Sequence, residues 1–320
     1  MHTLTDPIGR SFKVLRVSLL DRCNFACTYC VCEEEPQAAP HMSMPRQVIL
    51  SSDELLDLIS RLHLLLQLRT IRLTGGEPLL YPDLPQLIQG IRRLGISDIR
   101  MTTNGFLLAK KAAALREAGL RSINVSLDAL SESAFLRVTK RAGLQQVLNG
   151  ITAAQETGLE VKINTVIMAG ENDQEILPLL DFAFRHGLKI RFLELMGMGH
   201  LFGDTHKQFF SRQAILDRIS RIYTIEEQPK PCGDTATYWR TACGHHFGII
   251  ANESHPFCTD CNRLRLDGYG NIYGCISSNI PIPLREVRSP QGLANGVQAA
   301  LQQKQMRLSG SKRSMLTIGG

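Results

Sequence analysis

A chain of 320 residues, 43 % of them apolar, has material for one large core or for a main domain with an appendage, so it needs none of the staples on which small scaffolds depend. Its 36 lysines and arginines against 30 aspartates and glutamates leave a net charge of +6, which suits an anionic substrate and is too weak alone to indicate DNA or RNA. No stretch approaches about eighteen uninterrupted apolar residues, and the opening MHTLTDPIGRSF lacks a charged start followed by an apolar run and a cleavage site; a cytoplasmic protein is expected, with neither a membrane nor a nucleic acid among its partners.

In chain order, apolar or β-branched runs at Phe12 to Leu20, Thr70 to Thr74, Asp98 to Thr103, Ser122 to Leu127, Glu160 to Met168 and Lys189 to Leu195 predict strands. Helical segments separate them. In SSDELLDLISRLHLLL, Ser51 and Glu54 have capping-box spacing, and Gly95, Gly119, Gly158 and Gly187 stand where helices should close. Six βα units in a row predict an α/β fold with a parallel sheet, two units short of a closed eight-stranded barrel. The rhythm breaks near residue 200. After a helix predicted at Ser211 to Tyr223, the segment QPKPCGDTATYW reads as a hinge, giving a first domain over 1–228 and a smaller region over 229–320.

Catalytic residues in such folds sit at the C-terminal ends of the strands, which here read DRCNFACTYC, GGEPLL, TTNG, SLDA, the tail of VKINTVIMAG, and LELMGMG. Nine cysteines in a chain of this size argue for metal binding or catalysis rather than a disulfide framework. Cys23, Cys27 and Cys30 form CxxxCxxC just after the first strand. Thiolates are soft ligands for zinc, copper(I) or iron–sulfur clusters, and a structural zinc wants four protein ligands. Three on one short loop suit a [4Fe–4S] cluster with one iron left open for a small molecule; a zinc loop completed by Cys32 or a distant residue is the plainer alternative. Downstream, the glycines of Gly75-Gly76-Glu77-Pro78 let backbone approach a ligand, and Glu77 can accept from an ammonium.

CxxxCxxC with Tyr29 before its last cysteine, followed by GGEP, resembles the radical S-adenosylmethionine (SAM) superfamily. The resemblance implies that the open iron chelates the amino and carboxylate groups of SAM. One electron from the cluster then cleaves the sulfonium, and the 5′-deoxyadenosyl radical abstracts a hydrogen atom from substrate.

A second set, Cys258, Cys261 and Cys275, follows a CxxC pattern with one distant cysteine. Cys232, Cys243 and His255 lie near enough in sequence to complete a structural zinc site instead. In NRLRL, Arg263 and Arg265 alternate with Leu264 and Leu266, so an extended stretch puts both guanidinium groups on one face, a pairing that suits a phosphate or a purine edge. Neither a GxxxxGK nor a strand-linked GxGxxG pattern appears, so a bound nucleotide would need cationic side chains and a metal corner. Arg16, Arg72 and Lys162 fall on predicted strands, where an anionic ligand would offset the cost of their burial.

The segments LTDPIGRSFKVLRVSLLDRCN, TIRLTGGEPLL, MTTNG, INVSLDAL, VKINTV, FCTDCNRLRL and a terminal IGG together resemble the GTP 3′,8-cyclase family of molybdenum-cofactor biosynthesis over nearly the whole chain. The resemblance implies an incomplete (β/α)6 TIM-type barrel with a smaller C-terminal iron–sulfur region, two [4Fe–4S] clusters, SAM as cofactor and GTP as substrate. In that family the radical takes the C3′ hydrogen of GTP and C3′ attacks C8, giving (8S)-3′,8-cyclo-7,8-dihydroguanosine 5′-triphosphate, the first step of molybdopterin synthesis. Residue by residue, the resemblance gives Cys23, Cys27 and Cys30 to the first cluster and Cys258, Cys261 and Cys275 to the second. It gives Tyr29, Gly75, Gly76, Glu77, Asn104, Ser126 and Met196 to SAM. Arg16, Arg72, Thr103, Lys162, Arg263 and Arg265 would face GTP, with Arg263, Arg265 and the tail glycines Gly319 and Gly320 supporting catalysis. It further implies an electron donor of flavodoxin or ferredoxin type, transfer of the product to cyclic pyranopterin monophosphate synthase, and a homodimer. The chain departs from the family pattern where Val31 and Cys32 follow Cys30 and where Gly197 and Met198 follow Met196. Other readings are a radical SAM peptide-modifying enzyme with an auxiliary cluster and a zinc-stabilised nucleotide- or RNA-binding protein.

Overall fold

Residues 4–31, 48–205, 207–231 and 233–319 are described in the computed structural model of this chain. Strand β1 (Val14–Ser18) leads to α1 (Ser52–Leu66), β2 (Thr70–Thr74), α2 (Leu84–Arg93), β3 (Asp98–Thr103), α3 (Leu108–Ala118), β4 (Ser122–Ser126), α4 (Glu132–Thr139), α5 (Leu144–Glu156), β5 (Glu160–Ile167), α6 (Ile176–Arg185) and β6 (Lys189–Glu194). The six predicted strands therefore form within two residues of their expected limits. The capping box at α1 is complete: the Glu54 N–H donates to Ser51 Oγ at 3.3 Å and the Ser51 N–H donates to the Glu54 carboxylate at 2.8 Å. All four glycines expected to close helices have positive φ.

Along the strands the two faces differ in chemistry. Leu15 and Val17, Ile71 and Leu73, Ile99 and Met101, and Ile123 and Val125 belong to the main apolar core and are fully buried. Their sequence neighbours Arg16, Arg72, Arg100 and Asn124, and Lys162 between the buried Val161 and Ile163 of β5, line a cavity on the other face. A parallel strand packed on both sides reads as an unbroken apolar run, so this alternation marks a polar lumen instead of the filled interior of a closed barrel.

The chain after residue 200 does not build a sheet of its own. It adds α7 (Arg212–Ser220), β7 (Ile225–Glu227), β8 (Thr237–Thr241), β9 (His246–Ile250), β10 (Arg263–Leu266), β11 (Asn271–Tyr273), β12 (Ile282–Pro283), α8 (Pro290–Leu301) and α9 (Met315–Ile318). One twelve-stranded sheet results, in the order β12-β11-β10-β1-β2-β3-β4-β5-β6-β9-β8-β7. Strand β10 pairs in parallel with β1, and β9 pairs in parallel with β6. The two strands that an eight-stranded barrel requires thus come from the C-terminal third, one on each edge. Among the described residues the outermost strands β12 and β7 do not meet, and the barrel stays open. No helix of the described residues is long and apolar enough to cross a membrane.

Candidate active site

The lumen is a cavity of about 460 Å³ whose lining includes eight cationic side chains and four carboxylates. Strand register explains the crowding. Arg265 on β10 pairs with Arg16 on β1, Arg16 with Arg72 on β2, and Arg72 with Arg100 on β3, so four arginines stand abreast on neighbouring strands. Like charges directly opposite one another on a sheet are destabilising. Burial, and then Arg191 and Arg100, push Arg72 down to about 9, while burial and Arg263 push Arg265 down to about 10. A guanidinium keeps its proton at neutral pH all the same, so the lumen face concentrates positive charge. Arg100 is held by a paired contact to Asp98, and Lys162 by Glu160 at 3.0 Å.

The first cysteine loop runs from the end of β1. It is pinned to the end of α4 by Ala26 N–H to Thr139 O at 3.1 Å and Thr28 N–H to Val138 O at 2.9 Å, and Phe25 packs edge-on against Phe106 and Phe135. Gly75 and Gly76 also permit a contact within the fold. A Cβ on Gly76 would lie 2.1 Å from the Arg22 carbonyl oxygen, and one on Gly75 2.6 Å from that of Leu20, so the close approach these glycines permit is to the cysteine loop itself. Both also line the cavity. Glu77 is fully buried: Oε1 accepts from the Leu79 N–H at 2.9 Å and from the Thr103 hydroxyl at 2.6 Å, and Oε2 accepts from the Asn104 N–H at 2.7 Å. One acceptor position on Oε2 remains for an ammonium. Thr103 reaches the lining but spends its hydroxyl on Glu77, whereas its neighbour Thr102 shares the lumen face with Arg100.

Tyr29 donates to Asp128 Oδ2 at 2.8 Å, and Asp128 Oδ1 accepts from the Val166 N–H at 2.9 Å. Burial pushes Asp128 up to about 6. Asn104 Nδ2 donates to Asn24 at 2.7 Å and lies 3.7 Å from Cys23 Sγ. Burial, with Cys23 and Asp128 adding to it, pushes Cys30 up to about 12, and burial raises Cys23 and Cys27 as well. Ser126 and Met196 reach the cavity from the ends of β4 and β6.

The second cysteine set stands on the C-terminal region. Arg10, held by Asp6, donates to the carbonyl of Cys258. Burial raises Cys261, but Arg263 and Lys304 outweigh it and bring the thiol down to about 6. Arg263 and Arg265 point into the lumen while Leu264 and Leu266 are buried on the far side, as the alternation predicts. All six cysteines line the one cavity and all are free thiols. Among the described residues no three Cys, His, Asp or Glu side chains draw together closely enough to hold a single metal ion. His255 is exposed with its ring beside Ser254, away from any such role.

The tail enters the lumen. Arg265 donates to the Gly319 carbonyl and, at 3.3 Å, to that of Ile318. Gly319 has φ +76°, and a Cβ there would lie 2.4 Å from Thr74 Cγ2. Gly197 and Met198, which depart from the family pattern, seat this tail: Ser311 N–H donates to Gly197 O at 3.0 Å, and Met198 packs with Tyr273 and Ile318. Gly320, Cys32 and Cys232 lie outside the described residues. Sequence reasoning did not single out Arg100, Arg191, Asp128 or Lys304. For Arg100 and Arg191 the signal was present, since each is a cation at a lumen-facing position of a correctly predicted strand.

Comparison with known proteins agrees with this geometry. The radical SAM superfamily matches residues 17–183, and the Molybdenum Cofactor Synthesis C family matches residues 188–309. A GTP 3′,8-cyclase of Ectopseudomonas mendocina is 39 % identical over 293 residues, covering 90 % of this chain and 86 % of its own. One from Aquifex aeolicus is 38 % identical, covering 86 % and 85 %. Among solved structures, Streptococcus suis SuiB bound to S-adenosylmethionine superposes with a TM-score of 0.62 at 13 % identity, covering 92 % of this chain and 70 % of that one. AnSMEcpe with bound AdoMet gives 0.62 at 13 %, covering 92 % and 84 %. At that identity the two share the fold. With both halves of the sequence matched and relatives this similar over most of their length, the chain belongs to the GTP 3′,8-cyclase family of the radical SAM superfamily.

Proposed function

We propose that this chain is a radical SAM GTP 3′,8-cyclase acting in the first step of molybdopterin synthesis, with two [4Fe–4S] clusters. The observation that carries the reading is the rank of arginines Arg265, Arg16, Arg72 and Arg100 in a cavity lined by both cysteine sets. Cys23, Cys27 and Cys30 would hold the first cluster, and Cys258, Cys261 and Cys275 the second. When bound, the clusters and SAM would supply the electron and the 5′-deoxyadenosyl radical.

The remaining work belongs to the side chains. The first cysteine loop, Glu77, Ser126 and Met196 orient SAM at the mouth of the parallel strands, where Glu77 offers its last acceptor position to the ammonium. Arg16, Arg72, Lys162 and Arg191 take the triphosphate, whose charge offsets their mutual repulsion. Arg263 and Arg265 bracket the nucleoside, and Gly319, gripped by Arg265, closes the space between nucleotide and strands β1 and β2. The division at residue 228, a cytoplasmic location, a flavodoxin- or ferredoxin-type donor, delivery of product to cyclic pyranopterin monophosphate synthase and a homodimer are parts of the same reading.

The test is anaerobic incubation of reconstituted protein with SAM, dithionite and GTP deuterated at C3′. Deuterium should appear in 5′-deoxyadenosine, together with the cyclised nucleotide. Formation of 5′-deoxyadenosine without deuterium, or a colourless protein that retains zinc, overturns the reading.

A further inference from the structure

The two cysteine sets differ in the donors that reach their sulfurs. Around the first, the donors that reach a thiol are neutral, the Phe25 N–H at 3.4 Å and Asn104 Nδ2 at 3.7 Å from Cys23 Sγ; two carboxylates, Asp128 bonded to Tyr29 and the buried Glu77, act on the thiols, and a cation at this loop, Arg141, donates to the Asn24 carbonyl and to no sulfur. Around the second, Lys304 Nζ donates to Cys261 Sγ at 3.5 Å and to the carbonyl of Arg263. Lys304 is not a surface lysine that happens to pass. It follows α8, its ammonium lies 4.6 Å from the centre of the buried Phe12 ring, and the preceding residue Gln303 accepts from the Gly274 N–H at 3.0 Å, next to Cys275. The end of α8 therefore holds both segments that carry the second set, one before β10 and one after β11.

We propose that Lys304 is a positioning residue that sets the charge and the reduction potential of the second cluster, making it the more easily reduced of the two. The inference rests on the cluster assignment under Proposed function. A cluster that takes up one electron becomes more negative, so a fixed cation with an N–H···S bond to a ligand stabilises the reduced form, whereas a nearby carboxylate opposes it. The asymmetry matches the work required. The first cluster has to be a strong reductant to cleave a sulfonium, and the second has only to hold substrate.

The experiment is a redox titration with dithionite and mediator dyes, followed by electron paramagnetic resonance, on the full chain carrying Cys23→Ala so that only the second cluster contributes. In that background Lys304→Met should shift the reduced-to-oxidised ratio at fixed potential at least about tenfold toward oxidised, about 59 mV for a one-electron couple, while Lys304→Arg stays near the parent. A Lys304→Met protein with full iron content and an unmoved potential overturns the proposal and leaves the cluster assignment standing. Lys304→Gln, which keeps a donor and loses the charge, provides the same comparison if the methionine variant fails to take up iron. Failure of both neutral variants to hold a cluster makes Lys304 an assembly residue and overturns the proposal. If the Cys23→Ala parent itself binds no iron, the assignment of the second cluster falls, and this inference with it.

Discussion

Arg265 grips the carbonyl of Gly319, joining a strand placed beside β1 by register to a residue from the last turn of the chain. Arg265 and the tail are therefore one unit, and under the proposed function that unit borders the substrate. Gly319→Ala places a methyl group against Thr74 and requires a φ that L-residues adopt at a cost of roughly 1–2 kcal/mol. Product formation should fall at least about tenfold while uncoupled SAM cleavage persists. Adding Thr74→Ser, which removes the clashing methyl, should restore part of it. Chromatography of both nucleoside products decides the matter, and an undiminished Gly319→Ala enzyme would show that the tail is dispensable.

The two cysteine sets should separate cleanly by function. Cys23→Ala and Cys258→Ala should each lose about half of the roughly eight irons expected for two [4Fe–4S] clusters. The first should make no 5′-deoxyadenosine. The second should still cleave SAM but bind GTP weakly. Iron analysis and equilibrium dialysis check both, and unchanged GTP binding in Cys258→Ala would remove the second cluster from the substrate site.

Arg191 donates to Asn164 at 3.0 Å, yet its Nη2 is buried without a hydrogen-bond partner among the described residues. A guanidinium nitrogen left in that condition is costly unless a ligand completes it. Arg191→Gln should raise the KM for GTP by about ten- to a hundredfold, the equivalent of about 1.5–3 kcal/mol for a charge-assisted hydrogen bond, with little change in SAM affinity. A variant with normal KM would assign Arg191 to the fold.

Burial pushes Glu77 up to about 7, against 4.5 for an ordinary glutamate. The folded chain therefore holds more protons than the unfolded chain between those values, so this group's contribution to stability is complete below about 4.5, declines as pH rises, and is lost above about 7. Glu77→Gln cannot titrate. Melting temperatures of the metal-free proteins from pH 4.5 to 8 should show the wild type losing ground to the variant as pH increases, on top of a constant penalty of about 1–3 kcal/mol for setting the glutamine amide against the Asn104 N–H. A difference independent of pH would mean that Glu77 is ionised throughout.

The six strands, the helix caps and both cysteine motifs were legible because each is written in neighbouring residues: a period of two, a Ser-x-x-Glu box, a CxxxCxxC spacing. The origin of β9 and β10 was not. HFGII and RLRL are too short to declare a partner, and their places beside β6 and β1 follow from pairings across more than fifty and more than two hundred residues. Thr103, expected from the family resemblance to face GTP, lines the cavity and donates its hydroxyl to Glu77, a bond between residues 26 apart that no local pattern announces. Lys304 carries no local pattern, since its meaning comes entirely from where α8 docks.

Because β10 has to travel back to β1, the sheet cannot be completed until nearly the whole chain has left the ribosome. During translation β1 and β6 both expose unsatisfied edges, the state most prone to pairing with a neighbouring nascent chain. Folding should therefore be slow for a protein of this size, and truncations that spare every residue of the first six strands should still depend on chaperones or precipitate.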